Sequence, residues 1–148
     1  MEVRRTVRQL LMEKGHAVWS IQPDASVFDA LERMAEKNLG ALMVVEDGRV
    51  VGIFSERDYA RKVILHGRAS RDIQVRDIMT TDLVTVRPDN TLGDCMRLMT
   101  DHRIRHLPVL DGDATVGVVS IGDVVKAVMA EQEFLIEQLQ SYIQSGNG

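Results

Sequence analysis

The pattern of apolar and polar residues predicts the same series of elements twice along the chain. In the first half, two continuous apolar runs at residues 41–45 and 50–54 flank Asp47-Gly48, which is a strong signal for a β-hairpin. A short strand at about residues 18–21 and a helix precede the hairpin, and a second helix from about residue 56 to 66 follows it. The predicted order of elements is therefore β-α-β-β-α.

The second half repeats the first at a constant offset of 65 residues, without a gap. The identical pairs are Pro23/Pro88, Asp24/Asp89, Asp29/Asp94, Met34/Met99, Leu42/Leu107, Val44/Val109, Val51/Val116, Gly52/Gly117, Ser55/Ser120 and Asp58/Asp123. Ten matches that also share their predicted elements indicate a tandem duplication. The second half is accordingly expected to have a strand at residues 84–86 and a hairpin built from residues 107–110 and 115–119.

Capping-box patterns mark the start of the first helix in each half. Ser26-Val27-Phe28-Asp29 and Thr91-Leu92-Gly93-Asp94 both place a hydroxyl residue three positions before a carboxylate, an arrangement that caps helix N-termini. The first of these helices is expected to place one apolar face on the core. That face consists of Val27, Ala30, Leu31, Met34 and Ala35.

The remaining segments extend or connect the two halves. We expect an N-terminal helix over residues 3–14, closed by Gly15, and a polar linker over residues 67–74. A single helical turn at residues 75–79 leads into the second repeat. A long terminal helix over residues 124–143 keeps apolar residues beyond the repeat, so we expect it to pack on the N-terminal helix or on a second subunit. The predicted units are 1–15, 16–66, 67–74, 75–130 and 131–148.

Composition limits the class of protein and its partners. The chain has 148 residues, and 45% of them are hydrophobic. One half, of about 60 residues, would bury too little surface to be more than marginally stable alone. We therefore predict an α+β fold in which the two repeats pack about a pseudo-twofold axis. A net charge of −4 gives no reason to expect nucleic acid or an anionic membrane as partner. Cys95 is the only cysteine, and neither a signal peptide nor a membrane span is recognisable, so we expect a cytoplasmic protein.

Ser55-x-x-Asp58 and Ser120-x-x-Asp123 have two interpretations. As capping boxes they are purely structural. Alternatively, a strand that ends at a helix N-terminus offers amides to a phosphate, and a carboxylate one turn into the helix accepts both hydroxyls of a ribose. Gly52 and Gly117 then let a ligand approach the backbone closely. The two interpretations are compatible.

The repeated order of strand, Pro-Asp, helix, hairpin and Gly-x-x-Ser-x-x-Asp resembles the CBS domain, named for cystathionine β-synthase. The resemblance covers about residues 16–66 and 75–130, and two such domains in tandem form a Bateman module. It implies a cleft for adenosine-containing ligands, with Asp58 and Asp123 at the ribose and Ser55 and Ser120 beside them. It also implies an adenine pocket near the first strand of each repeat. The residues concerned are Trp19 with His16, and Val84 with Met79.

Charge distinguishes the two implied sites. In proteins of this family, basic residues of one repeat often reach the phosphate held by the other, and the second repeat offers Arg103, Arg105 and His106. Arg57 also lies inside the first Ser-x-x-Asp motif. We therefore expect the Asp58 site to bind a phosphorylated ligand more tightly, while the Asp123 site takes a less charged ligand or none. The alternative for Arg103 and Arg105 is a solvated helix end.

The resemblance implies a regulatory sensor without a catalytic role. AMP is the first candidate ligand, followed by ADP, ATP, NAD(H) and S-adenosylmethionine, and no metal is expected because the histidines lack ligand spacing. The resemblance further implies a homodimer, in the form of a four-repeat disc, and an effector protein of unknown identity. One alternative is a structural or interaction protein with empty sites. Another is an enzyme that acts on nucleotides, although no nucleophile, base and oxyanion donor can be assembled from the sequence.

Overall fold

The computed structural model describes residues 4–146, and within them the two halves form separate sheets and separate hydrophobic clusters. A π-helical segment (Ala60–Ile64) follows the third helix, and one 3₁₀ turn (Val75–Asp77) follows the linker, as predicted for residues 75–79. The regular helices are α1 (Val7–Lys14), α2 (Val27–Lys37), α3 (Glu56–Tyr59), α4 (Leu92–His102) and α5 (Ile121–Gly146); the strands are β1 (Ser20–Ile21), β2 (Ala41–Glu46), β3 (Arg49–Ser55), β4 (His106–Asp111) and β5 (Ala114–Ser120).

Both predicted hairpins are confirmed. Strands β2 and β3 pair antiparallel around Asp47-Gly48, and both turn residues have positive φ, 53° and 78°, as the common two-residue hairpin turn requires. Strands β4 and β5 pair in the same way, with Gly112 at φ 63° in the turn. Each hairpin also carries a register shift at the same place, between Val44 and Val45 and between Val109 and Leu110.

The prediction of a strand over residues 84–86 was wrong. Only a single parallel bridge forms there, Val86 to Val109, which is the 65-residue equivalent of the Ile21–Val44 pair that joins β1 to β2. The cause is a sequence difference in the partner strand. In the first half, the N–H of Met43 donates to the Trp19 carbonyl and extends the pairing. The equivalent of Met43 is a proline, Pro108, which has no N–H to donate.

Helix ends follow the predicted caps with three corrections. Thr91 and Asp94 form the full reciprocal capping box, whereas Ser26 shows one half of it, accepting the N–H of Asp29. Helix α1 begins at Val7 because Thr6 caps it, so its predicted start at residue 3 was too early, and Val3 itself lies outside the described residues. The second helix of the first repeat is α-helical only to Tyr59. It continues as π-helix, with the N–H of Leu65 donating to the Ala60 carbonyl.

The predicted core face of α2 is also corrected. Val27, Ala30 and Met34 are buried and Leu31 is half-buried, but Ala35 is exposed. The apolar stripe that contacts the core is therefore narrower than the predicted one.

Each hydrophobic cluster contains a segment contributed from outside its own repeat. Leu10 and Leu11 of α1 are buried in the cluster of the second half. Conversely, Ile73 and Val75, which flank the end of the linker, are buried in the cluster of the first half. The Ile73 carbonyl accepts the N–H of Val27, so the linker is bound to the start of α2. The α+β fold of two packed repeats is confirmed, and the exact boundaries between its units remain a prediction.

Helix α5 is buried only along its first two turns. Val124 and Ala127 belong to the cluster of the second half, and α1 packs beside them. The predicted packing of the segment beyond the repeat on α1 is not seen, because that segment is exposed. Farther along, α5 projects its side chains into solvent, where Leu135, Leu139 and Tyr142 are exposed.

Candidate ligand-binding site

A cleft of about 590 Å³ lies between the two repeats. Its walls come from the ends of β3 and β5, from the start of α3 and α5, and from the loop that joins α4 to β4. Seven of the residues that the sequence singled out line it together: Ser55, Arg57, Asp58, Arg103, Arg105, His106 and Ser120.

Asp58 and Ser55 form a complete capping box on the wall contributed by the first repeat. The Ser55 N–H and hydroxyl both donate to Asp58 Oδ2 at 3.0 Å, and the Asp58 N–H donates to Ser55 Oγ at 3.2 Å. Asp58 is only 7% exposed, which is unusual for a carboxylate and requires that its oxygens be hydrogen-bonded. The motif therefore caps the helix, as one of its two interpretations predicts.

The other oxygen of Asp58 has partners that the sequence did not reveal. Thr80 Oγ1 donates to Asp58 Oδ1 at 2.9 Å, and Lys62 Nζ lies 3.2 Å from the same atom. Lys62 stands four residues after Asp58 on the helix, a spacing that could have indicated the pair. Thr80 gave no such signal, because its equivalent in the first repeat is Gly15.

The opposite wall is basic. Arg103 ends α4 in the left-handed conformation (φ 53°), and Arg105 follows two residues later. Arg57 reaches across the cleft, and its guanidinium donates to the Arg103 carbonyl at 2.6 Å. Three arginines thus line the cavity, together with the acidic residues Glu56 and Asp82.

His106 connects the cleft with the second Ser-x-x-Asp motif. Burial lowers the pKa of its imidazole, the ammonium of Lys14 and the guanidinium of Arg105 lower it further, and Asp123 opposes the change. The ring also lies close to the backbone of the first repeat, since a Cβ on Gly40 would stand 3.4 Å from His106 Cε1. A neutral imidazole in this position donates a hydrogen bond from one ring nitrogen and accepts one at the other.

The second motif differs from the first in what binds its carboxylate. Ser120 and Asp123 make the same reciprocal capping bonds, at 2.9 and 3.1 Å. Lys14 of α1, however, places its ammonium 2.5 Å from Asp123 Oδ2. Burial raises the pKa of Asp123, but the bonds from Lys14 and Ser120 outweigh it and leave the pKa below the usual range. Ser120 lines the cleft, and Asp123 does not.

The four residues expected around adenine do not line this cleft. His16 Nδ1 lies 3.1 Å from the Val116 carbonyl, and Val84 packs against the cluster of the second half. Trp19 is 42% exposed, with the Lys37 ammonium 4.6 Å above its ring. Met79 packs on Gly52, where an added Cβ would be 2.7 Å from its sulfur. Their role in adenine binding remains a prediction. The large apolar residues that do line the cleft are Ile53, Leu83, Ile104 and Ile121.

Within the described residues, neither the cysteine nor a metal-binding cluster forms a second candidate site. Cys95 is buried, and burial together with the nearby Asp94 raises the pKa of its thiol to about 11. Among residues 4–146, no three His, Cys, Asp or Glu side chains come together as a metal-binding group. In the same range, no helix has both the length and the apolar character needed to cross a membrane.

Comparison with known proteins identifies the class. The family model of the CBS domain matches the chain twice, at residues 7–65 and 75–130, so the chain belongs to the CBS domain family and contains a pair of these domains. The mitochondrial CBS domain-containing protein CBSX3 of Arabidopsis thaliana is 42% identical over 151 residues, covering 95% of this chain and 73% of CBSX3. The resemblance inferred from the sequence is thereby confirmed.

Solved structures agree with this assignment. A protein with CBS domains from Burkholderia ambifaria MC40-6 is 47% identical, with a TM-score of 0.83 over 86% of this chain and 96% of that one. The CBS domain pair of protein MJ0100 has a TM-score of 0.77 over 88% of this chain and 99% of that one, at 21% identity, which shows a shared fold. That structure is a complex with 5′-methylthioadenosine and S-adenosyl-L-methionine.

Proposed function

We propose that the chain is a regulatory module that binds an adenosine-containing ligand, with AMP as the first candidate, in the cleft between its CBS domains. The observation that carries the proposal is that a buried carboxylate, Asp58, and two arginines, Arg103 and Arg105, line opposite walls of the same cavity of about 590 Å³. A nucleotide presents both complements, since its ribose hydroxyls are donors and its phosphate is an anion. The adenosine compounds bound by protein MJ0100 support this class of ligand.

In the proposed complex, the ribose hydroxyls donate to Asp58, and the phosphate is held by Arg103 and Arg105. Arg57 completes the anion site from the first repeat. The ligand must then displace donors that Asp58 already has, and Lys62 is the easiest to replace because its side chain is 44% exposed. The fixed guanidinium fork favours a phosphate over an uncharged substituent.

Binding would act by changing how the two repeats sit relative to each other. Arg57 bonds the Arg103 carbonyl across the cleft, and a phosphate competes for the same guanidinium. A ligand with different affinities for two arrangements shifts the population between them. We propose that the signal passes to an effector protein or to a second copy of the chain in a four-repeat disc. Cytoplasmic localisation remains a proposal, and the relative CBSX3 is described as mitochondrial.

A second function has a specific observation in its favour. The oxygens of Asp58 accept hydrogen bonds from Ser55 and Thr80, and Asp123 is paired with Lys14, so both carboxylates are satisfied without a ligand. That arrangement suits a structural or interaction protein whose motifs only cap helices. We propose no catalytic step. An enzyme would be favoured if pure protein turned over ATP or NAD continuously and Asp58→Asn abolished that turnover.

A thermal-shift panel tests the proposal. Nucleotide-free protein is heated with AMP, ADP, ATP, NAD⁺, NADH or S-adenosylmethionine, in wild type, Asp58→Asn and the matched control Asp94→Asn. Asp94 occupies the same position of a capping box at α4 and does not line the cleft. A ligand at 100 times its Kd stabilises the fold by about 2.7 kcal/mol, which is several degrees in Tm for a chain of this size. A shift retained in Asp94→Asn and lost in Asp58→Asn is expected; no shift with any ligand would contradict the sensor function.

A further inference from the structure

Lys14 binds the second Ser-x-x-Asp motif as an outside ligand would. Its Nζ lies 2.5 Å from Asp123 Oδ2 and donates to the Val118 carbonyl at 2.7 Å. Lys14 is in the last turn of α1, 109 residues before Asp123, so the contact depends on how α1 packs against the second repeat. The carboxylate and the strand carbonyl beside it thus share one ammonium donor.

An ammonium is a stronger partner for this carboxylate than a neutral hydroxyl. Both donors would bind an ionised acceptor, but the ammonium adds a charge–charge attraction that a neutral hydroxyl lacks. A ribose that displaced Lys14 would also leave its ammonium without its carboxylate, and the Lys14 side chain is only 31% exposed. Displacement by an uncharged diol is therefore unfavourable on both counts.

Helix α1 also covers the strand next to the motif. A Cβ on Gly117 would stand 2.7 Å from Leu11 Cδ2, and His16 lies against the Val116 carbonyl. Gly117 is the position at which a ligand could approach the backbone of β5, and Leu11 already fills that approach. Leu11, Lys14 and His16 together form what we call the α1 plug.

The first motif is covered at its glycine too, because Met79 fills the approach to Gly52 as Leu11 fills the approach to Gly117. The two motifs differ in what reaches the carboxylate. Asp58 also has a lysine partner, Lys62, but this residue belongs to the same helical segment and lies 3.2 Å away. Asp58 lines the cleft despite that contact, whereas Asp123 does not. The difference between the motifs is thus the origin of the lysine, which comes from the same helical segment at Asp58 and from α1, 109 residues away, at Asp123.

We propose that Lys14 is a built-in occupant of the second site, which keeps outside ligands away from Asp123 and limits each chain to one ligand, at Asp58. The location of that one ligand rests on the function proposed above. The exclusion at Asp123 is tested separately, through the difference in site number between variants.

Isothermal titration calorimetry with AMP and with S-adenosylmethionine measures the number of sites in the full chain. The variants are Lys14→Ala, Lys14→Arg, which keeps a cation beside Asp123, and Lys62→Ala, which removes the lysine partner of Asp58. Lys14→Ala is expected to gain one binding event per chain relative to wild type, while Lys14→Arg and Lys62→Ala keep the wild-type number. The added event should disappear in Lys14→Ala/Asp123→Asn.

Each result decides the proposal. Equal site numbers in wild type and Lys14→Ala, zero included, overturn it, and so does a gain in Lys14→Arg, which would assign the effect to side-chain shape. No binding to wild type but one event in Lys14→Ala supports the plug while contradicting the function proposed for the Asp58 site. If circular dichroism shows that Lys14→Ala is unfolded, Lys14→Gln, which retains a donor of similar length without the charge, is scored by the same count.

Discussion

Arg57 and Arg103 join the two repeats, because the guanidinium of Arg57 donates to the backbone carbonyl of Arg103 across the cleft at 2.6 Å. Arg57 is the second residue of α3 and stands next to Asp58, while Arg103 ends α4. One side chain therefore contacts the end of a helix in the other repeat and borders the space where a phosphate is proposed to bind. Ligand binding and repeat orientation share this contact.

Replacing Arg57 by alanine should weaken the binding of phosphorylated ligands selectively. We expect the Kd for AMP to rise about tenfold, equivalent to about 1.4 kcal/mol, because one charge-assisted bond to the phosphate is lost. The Kd for adenosine should change less than threefold. Calorimetry with both ligands measures this, and Arg61→Ala is the control, since Arg61 is exposed nearby and does not line the cleft. Equal weakening of AMP and adenosine would contradict a phosphate role.

Replacing Asp58 by alanine should destabilise the fold even without ligand. The hydroxyl of Thr80 and the N–H of Ser55 would lose their acceptor in a largely buried site. We expect a loss of about 1–3 kcal/mol in the free energy of unfolding. Urea denaturation measures it, with Asp94→Ala as the comparison that removes an equivalent cap outside the cleft. A loss in Asp94→Ala together with wild-type stability in Asp58→Ala would argue against the observed hydrogen bonds.

The Lys14–Asp123 pair should make stability depend on acid pH. Burial raises the pKa of Asp123, but the bonds from Lys14 and Ser120 prevail and depress it below the unfolded value of 3.8. A depressed carboxyl pKa stabilises the fold above the unfolded pKa, and this contribution is lost as pH falls through the folded pKa. We expect Tm measured from pH 6 down to pH 2.5 to fall less steeply below pH 4 in Lys14→Ala than in wild type. Lys126→Ala, an exposed lysine on α5, should keep the wild-type slope.

His106 should titrate below the usual histidine range. Burial is the main cause of the lowered pKa, followed by Lys14, with Asp123 acting in the opposite direction. Removing the Lys14 ammonium while leaving the Asp123 carboxylate in place should therefore raise the pKa of His106. NMR titration of the imidazole protons in wild type and Lys14→Ala measures this change. An unchanged His106 pKa would show that the three groups do not interact in solution.

The exposed face of α5 predicts self-association. Leu135 and Leu139 are about half exposed and Tyr142 more so, which is unfavourable for a helix that contacts only solvent. The double change Leu135→Glu/Leu139→Glu should shift the chain toward monomer in sedimentation velocity experiments. Far-UV circular dichroism should show the helix content retained. An identical oligomeric state would exclude this face from the proposed homodimer.

Much of the candidate site was predictable from the repeat, and its interior was not. Ser55 and Ser120 could be predicted because each ends a strand before a helix, and Asp58 because it follows Ser55 at the spacing of a capping box. The cavity also brings in Thr80, which follows the linker and donates to Asp58 from 22 residues away. The four residues expected at adenine do not line the cleft, because a position near the first strand in the sequence does not determine which side chains reach the cavity.

The sequence alone determined the order of helix, hairpin and following helix in both repeats, the two hairpins and the helix caps at Thr91, Ser55 and Ser120. Each of these depends on residues a few positions apart, whose backbone preferences and hydrogen bonds act locally. Only the tertiary structure decided that α1 packs on the second repeat, that Lys14 binds Asp123, and that the linker contributes Ile73 to the first core. These contacts join segments that are distant in the chain. The apolar pattern shows that a residue must be buried, but hydrophobic burial is non-directional and does not specify which segment covers it.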